Sequence, residues 1–543
     1  MNQLEVQLKE VLIQAASSAY NLSLNQQDVV IEIPKDASLG DYATNLAMRL
    51  TKILKMKPID IAQGLINHLP QDQSFIENMS LAGPGFINIT LNKQVLFDVV
   101  TRILKEDSDY GRSDYGQKEK INLEYVSANP TGDLHPGHAR GAAIGDSVAR
   151  ILSFAGYDVT REYYVNDAGN QIHNMALSLQ ARVKQACGLE AEIPQDGYHG
   201  QDLIDIAKEL IEEEGESIAT KPLEYFRSVG LVKELDKIKK DLKRFNVEFD
   251  VFSSEQSIYD AHKVEETLQR LKDLGSVYEN EGAIWLKTTD YGDDKDRVLV
   301  KSDGSYTYLL PDIAYHKDKY DRGFKKCVNF LGADHHGYIA RLKASMILLG
   351  IDMDLHVEII QMARMMKDGQ EFKLSKRSGN GISLLDLIEE AGSDAIRYFF
   401  TARAADTQMD LDLDMATKQS NENPVYYAQY AHARVCSILR SGTDYPQYEH
   451  VSGLTHPKEI ELIKYLNEFS STVVDAASSL QPHKIVNYLS KVASLFHSFY
   501  GECHVLDKDN LELSAHRLAL TKAVAITLRN ALNLVGVSAP ERM

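Results

Sequence analysis

Apolar residues recur along this chain with two periods, and the alternation between them divides it into three stretches. In residues 1–110, MNQLEVQLKEVLIQAASSAY repeats its apolar positions every three or four residues, which predicts a helix. DVVIEIP reads as a strand, DYATNLAMRLTKILKM returns to helical spacing, and GFINITL, after the turn Gly83-Pro84-Gly85, reads as a second strand. Together they predict a small α+β unit. The polar run KEDSDYGRSDYGQKEK that follows reads as a linker.

From 111 to 422 strand and helix patterns alternate. INLEYVS is strand-like, SANPTGDLHPGH is a loop, ARGAAIGDSVARILSFAG is helical with a glycine stop, and GYDVTREYYV is again a strand. That order opens a doubly wound, Rossmann-like parallel sheet. VNFLGAD and HVEIIQ, with a helical pattern between them, resume it downstream. Residues from about 174 to 291, with DLIDIAKELIEEEGE and LVKELDKIKKDLKRF, read as an insertion whose mixed-sign helices face solvent. Residues 423–543 are almost wholly helical, as in NPVYYAQYAHARVCSILR and HRLALTKAVAITLRNALNLVG, and predict a separate bundle. The expected architecture is multidomain α/β: a Rossmann-like parallel sheet with an insertion, preceded by a small α+β domain and followed by an all-α bundle.

At 543 residues the chain exceeds what one core serves. It is 44% hydrophobic and 25% charged, and no apolar run nears the about 20 residues that cross a bilayer. The N-terminus lacks the basic-then-apolar order of a secretory signal, so a cytoplasmic protein without membrane partners is expected. The formal net charge of -19 speaks against indiscriminate nucleic-acid binding and against DNA, while leaving room for a local RNA-binding surface. Cys187, Cys327, Cys436 and Cys503 lie far apart, which excludes a disulfide framework and a zinc knuckle.

The densest chemistry is His135-Pro136-Gly137-His138, between a predicted strand and a predicted helix. Zinc would need a third and fourth protein ligand, and neither a nearby cysteine nor a suitably spaced glutamate supplies one. An isolated H-x-x-H is most often a surface polar pair. Placement distinguishes this one: a helix N-terminus at the carboxyl end of a strand favours phosphate through its backbone N–H groups and dipole, and two imidazoles there can add donors. Gly137 would let a base or ribose approach the backbone, and Pro136 stiffens the turn.

ANPTGDLHPGH resembles the HIGH signature of class I aminoacyl-tRNA synthetases, with Pro136 where isoleucine is usual. The resemblance predicts a K-M-S-K-S loop after the last sheet strand, and KLSKRSGN from Lys373 to Asn380 supplies it, with Leu374 and Arg377 as departures. Lys373 and Lys376 could neutralise charge growing on a departing pyrophosphate, with Mg²⁺ bridging oxygens. Gly379 and its polar neighbours would let the loop close and reopen.

Glu124 and Asn129 lie just before the first signature, and Tyr308 and Asp312 are four apart in YTYLLPDIAYH, where they could share a helical face. Two carboxylates, an amide and a phenol suit a guanidinium, although spacing alone also fits a cap or a surface acid. EYVSANPTGDLHPGH, YYVNDAGNQI, LLPDIAYH, GADHHGY, NPVYYAQYAHARVCSI and GVSAPERM together resemble the bacterial-type arginyl-tRNA synthetases over nearly the whole chain.

That resemblance implies L-arginine, ATP with Mg²⁺ and tRNA(Arg) as partners, no tightly bound metal, and a monomer. It implies that Glu124, Asn129, Tyr308 and Asp312 hold arginine, with His335 near substrate or ribose. ATP contacts would come from Gly137, Gly332, Asp334 and Ser375, and from His135, His138, Lys373 and Lys376, which are also the expected catalytic residues. Adenylate formation would need bound tRNA. The bundle would take the anticodon arm, with Tyr426, Tyr427, Tyr430, His432 and Arg434 as candidates for stacking and phosphate contacts, and the N-terminal unit would take the tRNA elbow. Paired carboxylates would leave buried charge unpaired against a neutral side chain, so no editing domain is needed. The competing readings are a small nucleotidyltransferase, which lacks a long insertion and helical tail, another class I synthetase, and a catalytically lapsed relative, which would be expected to lose signature residues.

Overall fold

The computed structural model describes residues 3–34, 36, 39–71, 73–333, 337–372 and 381–543. Helix α1 (Gln3–Tyr20) buries Leu8, Leu12, Ala15 and Ala16, the face its periodicity predicts. After it come β1 (Tyr42–Thr44), α2 (Leu46–Leu54), α3 (Pro58–Asn67), β2 (Ile76–Ala82), β3 (Phe86–Leu91) and α4 (Lys93–Glu106), with the strands antiparallel in the order β1-β3-β2. DVVIEIP contributes only a bridge, Glu32 to Ala43, rather than a strand. Residues 42–44, expected in a helix, are β1 instead, because Thr44 donates its hydroxyl to the Val30 carbonyl (2.7 Å) and the Asp41 carboxylate accepts from the Leu91 N–H (2.6 Å). The expected linker is pinned down as well: Tyr110 is fully buried, packs on Phe469 and donates its hydroxyl to the Leu466 carbonyl at 2.7 Å.

The central domain runs β4 (Lys120–Glu124), α5 (Pro136–Phe154), β5 (Asp158–Val165), α6 (Asn170–Ala186), α7 (Gln201–Glu214), α8 (Leu223–Arg244), β6 (Val251–Ser254), α9 (Glu255–Asp260), α10 (Lys263–Asp273), β7 (Val277–Asn280), β8 (Ala283–Leu286), β9 (Arg297–Val300), α11 (Leu309–Asp321), β10 (Lys326–Gly332), α12 (Tyr338–Leu348) and β11 (Asp354–Ile360). Five strands pair in parallel in the order β11-β10-β4-β5-β6. The order reverses between β4 and β10, where Glu124 lies opposite Asn329, so the crevice for a ligand opens at the carboxyl ends of those two strands. The stretch expected as one insertion is two: α6 to α8, with a core of Ile172, Met175, Leu179, Leu203 and Phe226, and α9 to β9, with β6 of the main sheet between them. A strand of four residues carries too short a pattern to stand out between long helices.

Helix α5 crosses close over the strand end because residue 145 is glycine: a Cβ there would lie 2.4 Å from Cγ of the buried Tyr125. Gly145→Ala is expected to cost about 1–3 kcal/mol in a urea titration, since the ring has no room to retreat.

A small sheet, β13-β12-β14, made from β12 (Ala363–Lys367), β13 (Gln370–Glu371) and β14 (Met409–Asp412), leads with α13 (Leu384–Ala391), α14 (Ser393–Thr401) and α15 (Leu413–Thr417) to the C-terminal bundle. The bundle is α16 (Pro424–Ser441), α17 (Pro457–Asn467), α18 (Phe469–Ser479), α19 (His483–Glu502) and α20 (Leu511–Leu534). Arg397 on α14 ties the parts together. Fully buried, it donates to Asp146 of α5 (2.6 Å) and to the carbonyls of Phe245 (3.0 Å) and Val535 (3.1 Å). Among the described residues no helix is long and apolar enough to cross a membrane.

Candidate active site

Beyond Glu124 the backbone turns sharply, with Val126 at φ 69° and Ser127 at φ 38°. Left-handed backbone at a β-branched residue is strained, and such strain persists where the surroundings over-determine it. Here Ser127 Oγ donates to Glu124 Oε1 (3.2 Å) and accepts from the Tyr164 N–H (3.0 Å).

The loop ends in an unusual cap. His135 is the N-cap of α5, and its Nδ1 accepts from the backbone N–H groups of Gly137 (3.0 Å) and His138 (3.3 Å), while His138 Nδ1 accepts from the N–H of His135 (3.4 Å). The two rings stack at 3.6 Å. Because each Nδ1 accepts, the proton of each neutral ring resides on Nε2. Burial pushes both imidazoles down, His138 to about 3 with His135 adding to the effect, so both are neutral donors at pH 7. This corrects the expected phosphate contact: Pro136 has no N–H and the next two amides are taken by the imidazole, so the donors left to a ligand are the two Nε2–H groups.

At the end of β4 Glu124 is nine-tenths buried, and its Oε2 accepts from the fully buried Lys319 Nζ at 2.6 Å. Asp312, on the first turn of α11, accepts from the Tyr338 hydroxyl. Burial pushes the Asp312 carboxyl up to about 7 against that hydrogen bond, and Glu124 and Glu255 add to the rise. Tyr308, the N-cap of α11, has helical backbone and its carbonyl accepts from the Asp312 N–H (3.4 Å), so the two stand one turn apart, but its side chain is 87% exposed and the phenol bonded to Asp312 is that of Tyr338. Asn129, exposed, donates to Gln171 Oε1 at 2.5 Å, which ties the signature loop to the NDAGNQI segment. In that segment Asp167 accepts from Ser254 Oγ (2.6 Å) and the Gln256 N–H (2.8 Å), fixing the start of α9 and with it Glu255.

Gly332 closes β10 at the rim of the crevice. Asp334, His335, Lys373, Ser375 and Lys376 lie outside the described residues. Both flanks of the second signature are fastened to the first: Arg140 on α5 donates to the carbonyls of Gln361 (2.7 Å), Ala404 (2.9 Å) and Thr407 (2.7 Å), and the Leu384 N–H donates to the Leu134 carbonyl (2.6 Å). Sequence reasoning missed Glu255, Lys319 and Tyr338. Lys319 was within reach of a helical count, seven residues and two turns from Asp312, whereas nothing local marks the other two.

No group of three or more His, Cys, Asp or Glu suited to a metal occurs among the described residues. In the bundle, Tyr426 and Tyr430 stack at 5.9 Å, and the exposed Arg434 lies 5.0 Å from the Tyr500 ring. Tyr427 packs on His497 (5.0 Å), and His432 is buried against the Pro540 carbonyl (2.9 Å), so that histidine belongs to the core.

Family models match along the chain: the arginyl tRNA synthetase N terminal domain at residues 3–91, the catalytic domain of the class I (R) tRNA synthetases at 99–436, and the DALR anticodon binding domain at 428–543. The chain is 50% identical over 554 aligned residues to arginine–tRNA ligase 1 of Halalkalibacterium halodurans, covering 100% of both chains. It is likewise 50% identical to the arginine–tRNA ligase of Bacillus subtilis, covering 99% of each. Its fold matches Thermus thermophilus arginyl-tRNA synthetase with a TM-score of 0.76 over 100% of both chains, at 21% identity.

Proposed function

We propose how this site works from one premise: the chain belongs to the arginyl-tRNA synthetase family and is an arginine–tRNA ligase. In the first step an oxygen of the arginine carboxylate attacks the α-phosphorus of ATP, the bond to the bridging oxygen breaks, and pyrophosphate leaves. The carboxylate is already ionised, so the step needs positioning and charge stabilisation rather than a base. His135 and His138 donate Nε2–H to phosphate oxygens, and Lys373 and Lys376 neutralise the leaving pyrophosphate, to which ATP brings its own Mg²⁺. Asp312 and Glu255 hold the guanidinium, Glu124 and Asn129 orient the α-ammonium, and Tyr308, exposed at the mouth, packs over the bound side chain. In the second step a hydroxyl of the terminal adenosine of tRNA(Arg) attacks the arginyl carbonyl carbon and AMP leaves. The bundle face with Tyr426, Tyr430 and Arg434 takes the anticodon arm and the N-terminal unit takes the elbow. One chain, acting in the cytoplasm, carries all of this.

One observation supports the reading best: at the switch point of a single parallel sheet, β4 ends in Glu124, beside the acid cluster of Asp312, and leads directly into the loop that carries the neutral His135–His138 pair. Its test is tRNA charging with radiolabelled arginine, with and without ATP, beside Lys376→Ala and a panel of other amino acids. Charging by arginine alone, weakened about 100-fold or more in the variant, is expected; binding of tRNA without charging would refute it. Pyrophosphate exchange should need tRNA, and appreciable exchange without it would contradict the proposed coupling.

A further inference from the structure

Lys319 is fully buried, and no other lysine among the described residues is. A buried ammonium is costly to desolvate, so its partners matter. Four carboxylates lie around the crevice: Glu124, Glu162, Glu255 and Asp312. Arg322 neutralises Glu162 with contacts of 2.8 and 3.0 Å, and Lys319 neutralises Glu124. Lys319 also donates to Asn329 Oδ1 (3.3 Å), whose amide lies 2.8 Å from His316 Nε2, and His316 Nδ1 lies 2.8 Å from the Asp312 carbonyl. One helix, α11, thus bears both Asp312 and the cation that fixes the second acid.

We propose that Lys319 is a positioning residue for arginine recognition: it holds Glu124 in place and sets the charge of the pocket so that Asp312 meets the guanidinium as a carboxylate. The proposal rests on the reading of Asp312 as the guanidinium partner. Glu124 disfavours ionisation of Asp312 and Lys319 favours it, so the lysine offsets its neighbour's effect. The groups facing Asp312 are Glu124 from β4, Tyr164 from β5, Glu255 and Tyr259 from α9 and Tyr338 from α12, with His316 and Lys319 on its own helix. Burial holds His316 at about 4 and pushes all three phenols up, so in the neutral range the pocket's titration is that of the acids.

The test is the pH profile of kcat/KM for arginine in charging at saturating tRNA and ATP, which reports groups of the free enzyme. The wild type is expected to lose kcat/KM below about pH 7. Lys319→Met is expected to move that limb up by about one pH unit, a roughly fivefold loss at pH 7 and about tenfold below pH 6, carried by KM and recovered near pH 9, and Lys319→Arg should restore it. If Lys319→Met does not fold, as judged by thermal melting, Lys319→Met with Glu124→Gln removes both charges and should return the limb to its wild-type position. A limb that stays in place while activity falls equally at every pH would overturn the proposal and leave Lys319 structural. A wild-type profile with no limb, or one that persists in Asp312→Asn, would instead refute the reading of Asp312.

Discussion

Alanine in place of His138 is expected to lower kcat for arginyl-adenylate formation by about 10²–10³-fold while costing the fold only about 1 kcal/mol. The two effects separate because the ring has two jobs on its two nitrogens. Nδ1 accepts from the His135 N–H and closes the cap of α5, a contact of ordinary capping worth. In the proposed mechanism Nε2–H is the donor to phosphate, and a preorganised donor counts most when charge develops. His138→Gln, which carries a side-chain N–H, should recover part of the lost rate, and the KM for arginine should change little, because the proposed guanidinium partners Asp312 and Glu255 stand on other helices, α11 and α9. Burial holds His138 at about 3, so it should contribute no step to the wild-type rate between pH 6 and 8. Pyrophosphate exchange in the presence of tRNA measures the rate and urea unfolding measures the cap. A rate loss no larger than the loss of stability predicts would remove His138 from the chemistry.

Much of this geometry was legible in the residues, and the part that was not has physical reasons. The histidine loop could be placed because strand, loop and helix differ in period, and a helix start at the carboxyl end of a parallel strand has one meaning for a phosphate. That the imidazoles would consume the helix's own amides could not be read, because capping depends on rotamers rather than spacing. Tyr308 and Asp312 do stand one helical turn apart, yet the Tyr308 side chain is exposed, and the phenol that bonds Asp312 is that of Tyr338, 26 residues further on. β6 and Glu255 were hidden for a related reason: four strand residues between long helices carry little pattern, and they gain their place only through pairing with β5. The polar run after α4 reads as solvated, whereas Tyr110, packed on Phe469, and Asp107, bonded to Arg529 and Asn530, anchor it to the bundle.

Asp312→Asn is expected to raise the KM for arginine by about 10²- to 10³-fold or more and to abolish its dependence on pH near neutrality. A buried charge pair with a guanidinium, once one partner is removed, costs about 3–5 kcal/mol because the other charge is left desolvated and unmatched. The pH effect follows from the same burial. In the free enzyme the Asp312 carboxyl, raised to about 7, still holds its proton in mildly acidic solution, whereas with a guanidinium beside it the ionised form is favoured. Below about pH 7 each binding event must therefore release that proton, and KM should climb up to tenfold for each further unit of acidity; above it, binding should be level. Asparagine has no proton to release, so its profile should be flat. Folding runs the other way: a carboxyl whose value is higher folded than unfolded favours the native state at low pH and withdraws that support as pH rises from about 4 to about 7, so the Asn variant should be no less stable than wild type at neutral pH. Isothermal titration with arginine across pH 5.5–8.5, in the presence of tRNA, reads both consequences. A variant that binds arginine with wild-type affinity would move the guanidinium to Glu255, and one that binds weakly but keeps the acid limb would assign the titration to another group.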